Sequence, residues 1–398
     1  MYYVAETGKL VADGVINPAQ AVEIKHRARA AMIGLCVNTL LIAGILAATL
    51  GLVFYLASPL SVAISGGLFL GVGLLILRFG TAVYRMFGNA SALIGAGMLI
   101  SGSGIELLDK YQDQAGPVMF AMGGIIAGLC AWRFAKALPH LRFSYGAVLL
   151  MGAAMHLCGA YAFANEYAYN YPDWIYSILH FYAFAVIAAC GLLLDIRFVT
   201  ALAIIPFAQM LDTGTGYFHA AYVFYSPEPT LSILQMAALI GLCLWAAHRW
   251  TGRIARNAGI LAIMGFVVAN LAFLVGSLWG DVIGETLWGP NSYYYYNGSY
   301  ENWQQAQDAF KETTLVISEH VFSVVWAVIL VGLIAWAAMT NRRGLFNAGM
   351  TFAGIHAYTQ MFESFYDQPL AYVIAGLAAI PLAFGLWRLN HVWFATAD

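Results

Sequence analysis

The sequence predicts an all-α protein, a polytopic transmembrane bundle of about twelve helical spans arranged as six hairpins. Three observations support this fold class. The chain is 62% hydrophobic and 10% charged, whereas a soluble globular domain has roughly 25% charged residues. Its apolar runs are long enough to cross about 30 Å of hydrocarbon as helices. Basic residues collect at alternate ends of these runs, as they do in chains that cross a membrane repeatedly.

The chain begins with a predicted cytoplasmic helical segment, residues 1–30, which contains no apolar span. Asn17 followed by Pro18 is a favourable N-cap and first-turn pair, so a helix is expected to begin there. Residues 31–398 form the predicted transmembrane domain, whose longest outer loop covers residues 280–314. Tyrosine and tryptophan are frequent in this loop, which is typical of segments that rest at the membrane–water interface.

The transmembrane domain is predicted to contain twelve spans. In order, they cover residues 31–56, 59–77, 90–107, 116–134, 145–163, 174–194, 199–218, 231–247, 259–279, 315–339, 345–362 and 370–387. Pro206 lies inside the seventh span, where it either kinks the helix, because proline has no amide hydrogen to donate, or is simply a packing residue. Small residues are dense in several spans, which favours close helix packing. Among them are Gly66, Gly67, Gly71 and Gly73.

The distribution of charge predicts the orientation. With the N-terminus and every second loop assigned to the cytoplasm, sixteen of the 18 Lys and Arg residues fall inside. Lys110 and Lys311 fall outside. Because the positive-inside rule follows Lys and Arg, both termini are predicted to be cytoplasmic. Most acidic residues fall on the opposite side, so the outer face is predicted to be acidic.

Ionisable and polar residues recur in the outer halves of several spans, where such residues are costly and often functional. On the eleventh span His356, Gln360 and Glu363 share one helical stripe. If these stripes converge, they would line a polar cavity that opens outward. The predicted ligand-binding lining consists of His156, His180, Asp212, His219, Glu319, His320, His356 and Glu363.

The chemistry of this set leaves several roles open. Imidazoles interleaved with carboxylates can relay protons, bind a divalent metal or hold a cationic substrate. Each histidine can equally be a structural residue at a helix end that reaches water. No HExxH, CxxC or GxSxG motif is present, and the residues identify no catalytic group, metal or cofactor.

Three functional hypotheses follow. The first is a membrane protein that binds or moves a small solute or cation through the outward-facing cavity. The second is a structural or accessory subunit that packs against another membrane protein. The third is a membrane enzyme acting on a lipid-linked or periplasmic substrate, which would need a metal or two carboxylates within reach. The lipid bilayer is the expected environment in each case, and the absence of a basic, aromatic-rich patch argues against nucleic acid.

Two stretches resemble a known family. The first is Gly14-Val15-Ile16-Asn17-Pro18-Ala19-Gln20-Ala21, and the second is Arg343-Gly344-Leu345-Phe346-Asn347 followed by Phe362, Glu363, Phe365, Tyr366 and Asp367. Together they resemble a family of uncharacterised bacterial polytopic inner-membrane proteins with a short N-terminal cytoplasmic helix. The resemblance implies a bacterial inner membrane and many helices. It implies no reaction and no site residues.

Overall fold

The computed structural model describes residues 7–56, 58–80, 85–137, 139–167, 174–211, 216–218, 223–225, 228–290, 300–340 and 342–365, with scattered positions between 368 and 388. The chain divides into two compact units, Met1–Tyr171 and Pro172–Asp398. Helices dominate both units, which confirms the all-α class.

The first unit contains six helices within its described residues. They are α1 (Thr7–Ala12), α2 (Pro18–Leu56), α3 (Pro59–Phe79), α4 (Arg85–Lys110), α5 (Gln112–Lys136) and α6 (Pro139–Tyr167). The second unit adds two short antiparallel strand pairs. Its elements are α7 (Trp174–Leu194), α8 (Arg197–Leu202), α9 (Ile204–Gln209), β1 (Gly216–Phe218), β2 (Val223–Tyr225), α10 (Pro229–Arg249), α11 (Arg253–Trp279), β3 (Asp281–Val282), α12 (Glu285–Trp288), α13 (Tyr300–Thr313), β4 (Val316–Ile317), α14 (Glu319–Met339) and α15 (Arg343–Phe365).

Eight helices in the described part of the chain are long and apolar enough to cross a membrane. They are Pro59–Phe79, Phe87–Lys110, Gln112–Lys136, Leu141–Asn165, Trp174–Leu194, Pro229–Arg249, Arg253–Trp279 and Glu319–Met339. Each overlaps one of the twelve predicted spans. Residues 31–56 and 345–362 are also helical, within α2 and α15. The predicted span 370–387 lies partly outside the described residues.

The start of α2 confirms the N-cap predicted from Asn17 and Pro18. Asn17 Oδ1 accepts from the Gln20 amide at 2.7 Å, and Gln20 Oε1 accepts from the Asn17 amide at 2.9 Å. This reciprocal pair is a capping box, which satisfies two amides at the helix terminus. The helix then continues without a break past residue 30, so the predicted cytoplasmic segment and the first predicted span share one helix.

Residues 199–218 do not form the single span that the sequence predicts. Helix α8 ends at Leu202, α9 begins at Ile204, and residues 216–218 form strand β1. Pro206 explains the break, because it has no amide hydrogen for the carbonyl of Leu202. The apolar helical stretch Arg197–Gln209 extends only about 20 Å, which is too short to cross the hydrocarbon. The predicted continuous span is therefore wrong, and the predicted disturbance at Pro206 is confirmed.

Glycines decide how closely α3 and α4 approach. A Cβ atom on Gly66 would lie 2.8 Å from the carbonyl oxygen of Gly95, and one on Gly73 would lie 2.7 Å from the Cα atom of Ala92. Gly67 and Gly71, in contrast, meet no atom within 4 Å in the described chain. The packing interpretation is confirmed for Gly66 and Gly73, and it is wrong for Gly67 and Gly71.

The predicted outer loop, residues 280–314, contains more regular structure in its described residues than the sequence indicates. Strand β3 pairs with β4, which closes the loop at its base, and α13 lies between them. Trp303 Nε1 donates to the carbonyl oxygen of Pro290 at 2.7 Å and ties α13 to the preceding segment. An open groove of about 410 Å³, lined in part by Trp288 and Phe310, lies between α12 and α13.

Candidate functional site

Three helices of the second unit build a polar site inside an aromatic core. Trp326 of α14 is 0% exposed, and its Nε1 donates to Asn270 Oδ1 of α11 at 2.8 Å. Asn270 Nδ2 donates in turn to the carbonyl oxygen of Phe266 at 2.8 Å. Because both polar groups of Asn270 are engaged, the orientation of the Trp326 ring is fixed from α11.

His356 of α15 packs directly on that ring. The centroids of the His356 and Trp326 rings are 4.7 Å apart, with an angle of 60° between the ring planes. Phe273 lies nearly parallel to Trp326 at 6.3 Å, and Phe266 meets Phe352 edge-on at 5.8 Å. The imidazole therefore sits against an apolar, aromatic wall.

The same helix leaves two polar atoms without partners. His356 Nδ1 and Gln360 Nε2 are both buried, and neither has a hydrogen-bond partner within the described residues. The two side chains are four residues apart, so they lie on one face of α15. A buried polar atom without a partner costs about 1–3 kcal/mol. This cost makes the pair a candidate site for a bound molecule that supplies the missing partners.

Charged residues of the predicted set lie at the ends of the same helices. Glu363 is exposed and follows Gln360 by three residues on α15. At the start of α14, His320 Nε2 lies 3.7 Å from Glu319 Oε1, and the His320 side chain is 86% exposed. No group of three or more His, Cys, Asp and Glu side chains in the described chain is placed to hold a metal ion.

Two of the predicted histidines contact backbone carbonyls of helices. His180 Nδ1 lies 2.7 Å from the carbonyl oxygen of Tyr176 in its own helix, α7. His156 belongs to the first unit, where its Nδ1 lies 2.6 Å from the carbonyl oxygen of Phe120. Its ring stacks at 4.0 Å on Phe120 and packs beside Gly124. His156 thus joins α5 to α6.

The structure brings only part of the predicted set together. Glu319 and His320 are neighbours, and Glu363 shares α15 with His356. Asp212 and His219 lie outside the described residues. The groove between α12 and α13 is lined by none of the eight predicted residues.

Sequence reasoning missed a pair of buried carboxylates in the second unit. Glu228, at the N-cap of α10, is 3% exposed, and Asp281, in β3, is 5% exposed. Glu228 Oε1 accepts from the Gly284 amide at 2.8 Å, and Oε2 accepts from the Thr286 amide at 3.1 Å. Asp281 Oδ2 accepts from the Thr230 amide at 2.7 Å. The two acids are distant in sequence and precede no diagnostic motif, so no local signal marks them as a pair.

Trp326 and Asn270 also escaped functional interpretation at the sequence level. A tryptophan in an apolar span, such as Trp326, is normally interpreted as a core residue. A single asparagine in a span, such as Asn270, indicates no particular role. Comparisons of the chain with protein-family models, with curated proteins and with solved structures yield no match. The inference of function therefore rests on the side-chain geometry.

Proposed function

We propose that the chain is a multi-pass protein of a bacterial inner membrane that binds or moves a small polar solute through an outward-facing cavity beside α15. In this proposal the chain crosses twelve times in six hairpins, with both termini cytoplasmic. The concentration of Lys and Arg on one side supports the orientation. Because α8 and α9 are too short to span alone, the seventh crossing would need residues beyond them.

The observation that carries the proposal is the unpartnered pair on α15. His356 Nδ1 and Gln360 Nε2 are buried together on one helical face, beside the fixed ring of Trp326. The amide nitrogen donates hydrogen bonds, and the imidazole nitrogen donates or accepts according to its tautomer. A solute that carries a hydroxyl, carbonyl or carboxylate oxygen would satisfy both atoms.

A cation would require a different part of the helix. An amide N–H cannot coordinate a positive charge, so Gln360 Nε2 favours an oxygen-bearing group over a bare metal ion. Glu363 is three residues further toward the predicted outer end of α15. A solute with an oxygen at one end and an amine at the other would use the pair and Glu363 together.

The binding proposal is tested by solute-dependent thermal stabilisation of the purified protein in detergent. Small hydroxylated, carboxylated and amine-bearing solutes are compared for wild type, His356→Ala, Gln360→Ala and the His356→Ala/Glu363→Gln double variant. Each single substitution removes one buried hydrogen bond to the solute and should weaken solute binding roughly tenfold. The double variant should show no solute-dependent stabilisation.

The matched control is Thr351→Ala on the same helix. Thr351 is exposed, and its hydroxyl donates to the Asn347 carbonyl oxygen of its own helix at 2.9 Å. Its replacement should leave solute binding unchanged. The proposal fails if no solute stabilises the wild type, or if stabilisation persists undiminished in the double variant.

The orientation is tested separately with single cysteines at positions 343 and 363 in a background without native cysteines. The proposal expects impermeant thiol reagents to label position 363 from the periplasmic side and position 343 from the cytoplasmic side only. Labelling of both positions from one compartment would refute the hairpin topology.

A specific observation supports a second candidate, an accessory subunit of a membrane complex. His156 and His180 each contact a helix backbone carbonyl, as structural histidines do. This candidate expects a stoichiometric membrane-protein partner on purification and no effect of His356→Ala on its recovery. The enzyme hypothesis has less support, because the carboxylates of Glu228 and Asp281 are buried and accept hydrogen bonds from backbone amides.

A further inference from the structure

The buried pair of Glu228 and Asp281 fastens the segment after α11 to the start of α10. Glu228 reaches forward to the amides of Gly284 and Thr286, which open the short helix α12. Asp281 reaches back to the amide of Thr230, in the first turn of α10. The two side chains therefore form a reciprocal connection across the loop, called here the acid clasp.

The hydrogen bonds of the acid clasp distinguish its two carboxyl groups. Both oxygens of Glu228 accept a backbone amide, so each must present a lone pair. Two backbone amides aimed at the two oxygens of one side chain favour a carboxylate at Glu228. Asp281 differs, because Oδ2 accepts one amide while Oδ1 is buried with no hydrogen-bond partner within the described residues.

The negative charge of two buried carboxyl groups must be neutralised at this site. Neither acid forms a salt bridge with a Lys, Arg or His residue in the described part of the chain. Two ionised carboxylates, each about one-twentieth exposed or less, would repel one another with little screening by water. Burial and the charge of Glu228 both disfavour ionisation of the Asp281 carboxyl.

We infer that Asp281 is a proton-binding site, at which Oδ1 carries the single proton of the acid clasp. In the protonated state the clasp holds one negative charge, on Glu228, where two amides stabilise it. Loss of the proton places a second charge next to it. The connection between α10 and residues 281–286 is then weakened, so the outer end of the second unit responds to pH. This inference is independent of the solute site beside α15.

Among the described residues, the elements next to the acid clasp supply no cation that would neutralise it. Strand β4, paired with β3, consists of Val316 and Ile317, and the last turn of α11 contains no titratable residue. Helix α12 contributes Glu285 as its titratable residue, which is another acid. The titratable group that α10 presents to Asp281 is Glu228 itself.

The direction of the pKa shift agrees with this geometry. Burial raises the pKa of the Asp281 carboxyl, hydrogen bonds from Thr230 and from the Val282 amide lower it in part, and the Glu228 carboxylate raises it further. A raised pKa in the folded state means that the folded protein binds the proton more tightly than the unfolded chain. The resulting stabilisation is complete below the ordinary pKa of aspartate and is lost as pH rises through the folded-state pKa.

Two substitutions test the assignment in the full chain, purified in detergent. Asp281→Asn keeps an oxygen for the Thr230 amide and places an uncharged NH₂ group where the protonated Oδ1 lies. The variant should fold. Its unfolding equilibrium constant should lose the pH dependence that Asp281 contributes, which is at most a tenfold change per pH unit. Glu228→Gln is the contrasting variant, because its NH₂ group would face a backbone donor, and it should be less stable at every pH.

Infrared spectroscopy provides a readout that does not depend on unfolding. As pH is raised above the ordinary pKa of aspartate, the carbonyl stretch of a protonated carboxyl group should persist in the wild type, and it should be weaker by the contribution of one carboxyl group in Asp281→Asn. Equal intensity of that band in the two folded proteins would overturn the inference. Identical pH profiles of unfolding in the two would overturn it as well.

A last comparison separates a proton from a metal cation. Sodium or calcium chloride is added in place of choline chloride at matched ionic strength. The inference expects no difference in stability between these salts in either protein. Stabilisation of the wild type by one metal cation, lost in Asp281→Asn, would mean that the cation and not a proton neutralises the acid clasp.

Discussion

Gly66 and Gly67 are adjacent residues of α3 in different surroundings, and alanine should have opposite effects at the two positions. A Cβ atom on Gly66 would lie 2.8 Å from both the Gly95 carbonyl oxygen and the Met98 Cβ atom, about 0.6 Å inside the 3.4 Å at which ordinary contact begins. The Gly95 oxygen belongs to the backbone of α4 and cannot rotate away. The two helices must therefore move apart.

The magnitude follows from two opposing contributions. Overpacking of a close contact destabilises by about 1–3 kcal/mol. Alanine in place of glycine favours a helix by up to about 1 kcal/mol. Gly67→Ala should show only the favourable contribution, because its Cβ meets nothing within 4 Å in the described chain. The helix contribution is common to both variants, so they should differ by the overpacking cost of about 1–3 kcal/mol, with Gly66→Ala the less stable.

The assay is the unfolding equilibrium of each variant in mixed micelles, followed by tryptophan fluorescence and circular dichroism. Wild type should lie between the two variants or close to Gly67→Ala. Equal free energies of unfolding for Gly66→Ala and Gly67→Ala would refute the close approach of α3 and α4 at Gly66. A more stable Gly66→Ala variant would refute it more strongly still.

Two further predictions concern polar contacts of the second unit. A double-mutant cycle with Asn270→Ala and Trp326→Phe should give a coupling energy of about 0.6–2 kcal/mol, because the hydrogen bond between these side chains joins two helices inside the protein. The coupling energy is measured by the same unfolding equilibrium, and additive effects of the two substitutions would contradict the prediction. The Arg256 guanidinium holds the pKa of Asp195 below its ordinary value through a hydrogen bond of 2.5 Å. The stabilisation that this pair gives the folded protein is therefore present above the ordinary pKa of aspartate, and it is lost as pH falls through the folded-state pKa. Arg256→Gln should reduce the loss of stability at acid pH but not abolish it, because Asn257 also donates to Asp195; an unchanged pH titration of stability would contradict the prediction.

Local and periodic features of the chain were predicted correctly where a neighbouring residue decides the structure. The capping box of Asn17 and Gln20 depends on residues three apart, and the break near Pro206 depends on one missing amide hydrogen. Apolar runs predicted eight of the helices that are long enough to span a membrane. In each case the physical cause lies within one or two helical turns of the residue concerned.

The prediction failed where the outcome depends on distant partners. Gly66 and Gly67 are alike in sequence, yet only Gly66 faces the backbone of α4. The outer histidines look equivalent along the chain, whereas His156 and His180 contact helix carbonyls and His356 Nδ1 has no partner among the described residues. Which of two similar residues is used cannot be predicted before the helices are packed.

The amino-acid sequence by itself determined that this protein is helical and apolar enough for a membrane, because length, hydropathy and charge act along the chain. Only the tertiary structure decided which polar residues meet: Asn270 with Trp326, and Thr230 with Asp281. These partners are separated by about fifty residues in sequence, and each must find hydrogen bonds once water is excluded. A polar residue must find a specific partner only when it is buried, and which residues are buried depends on how the helices pack.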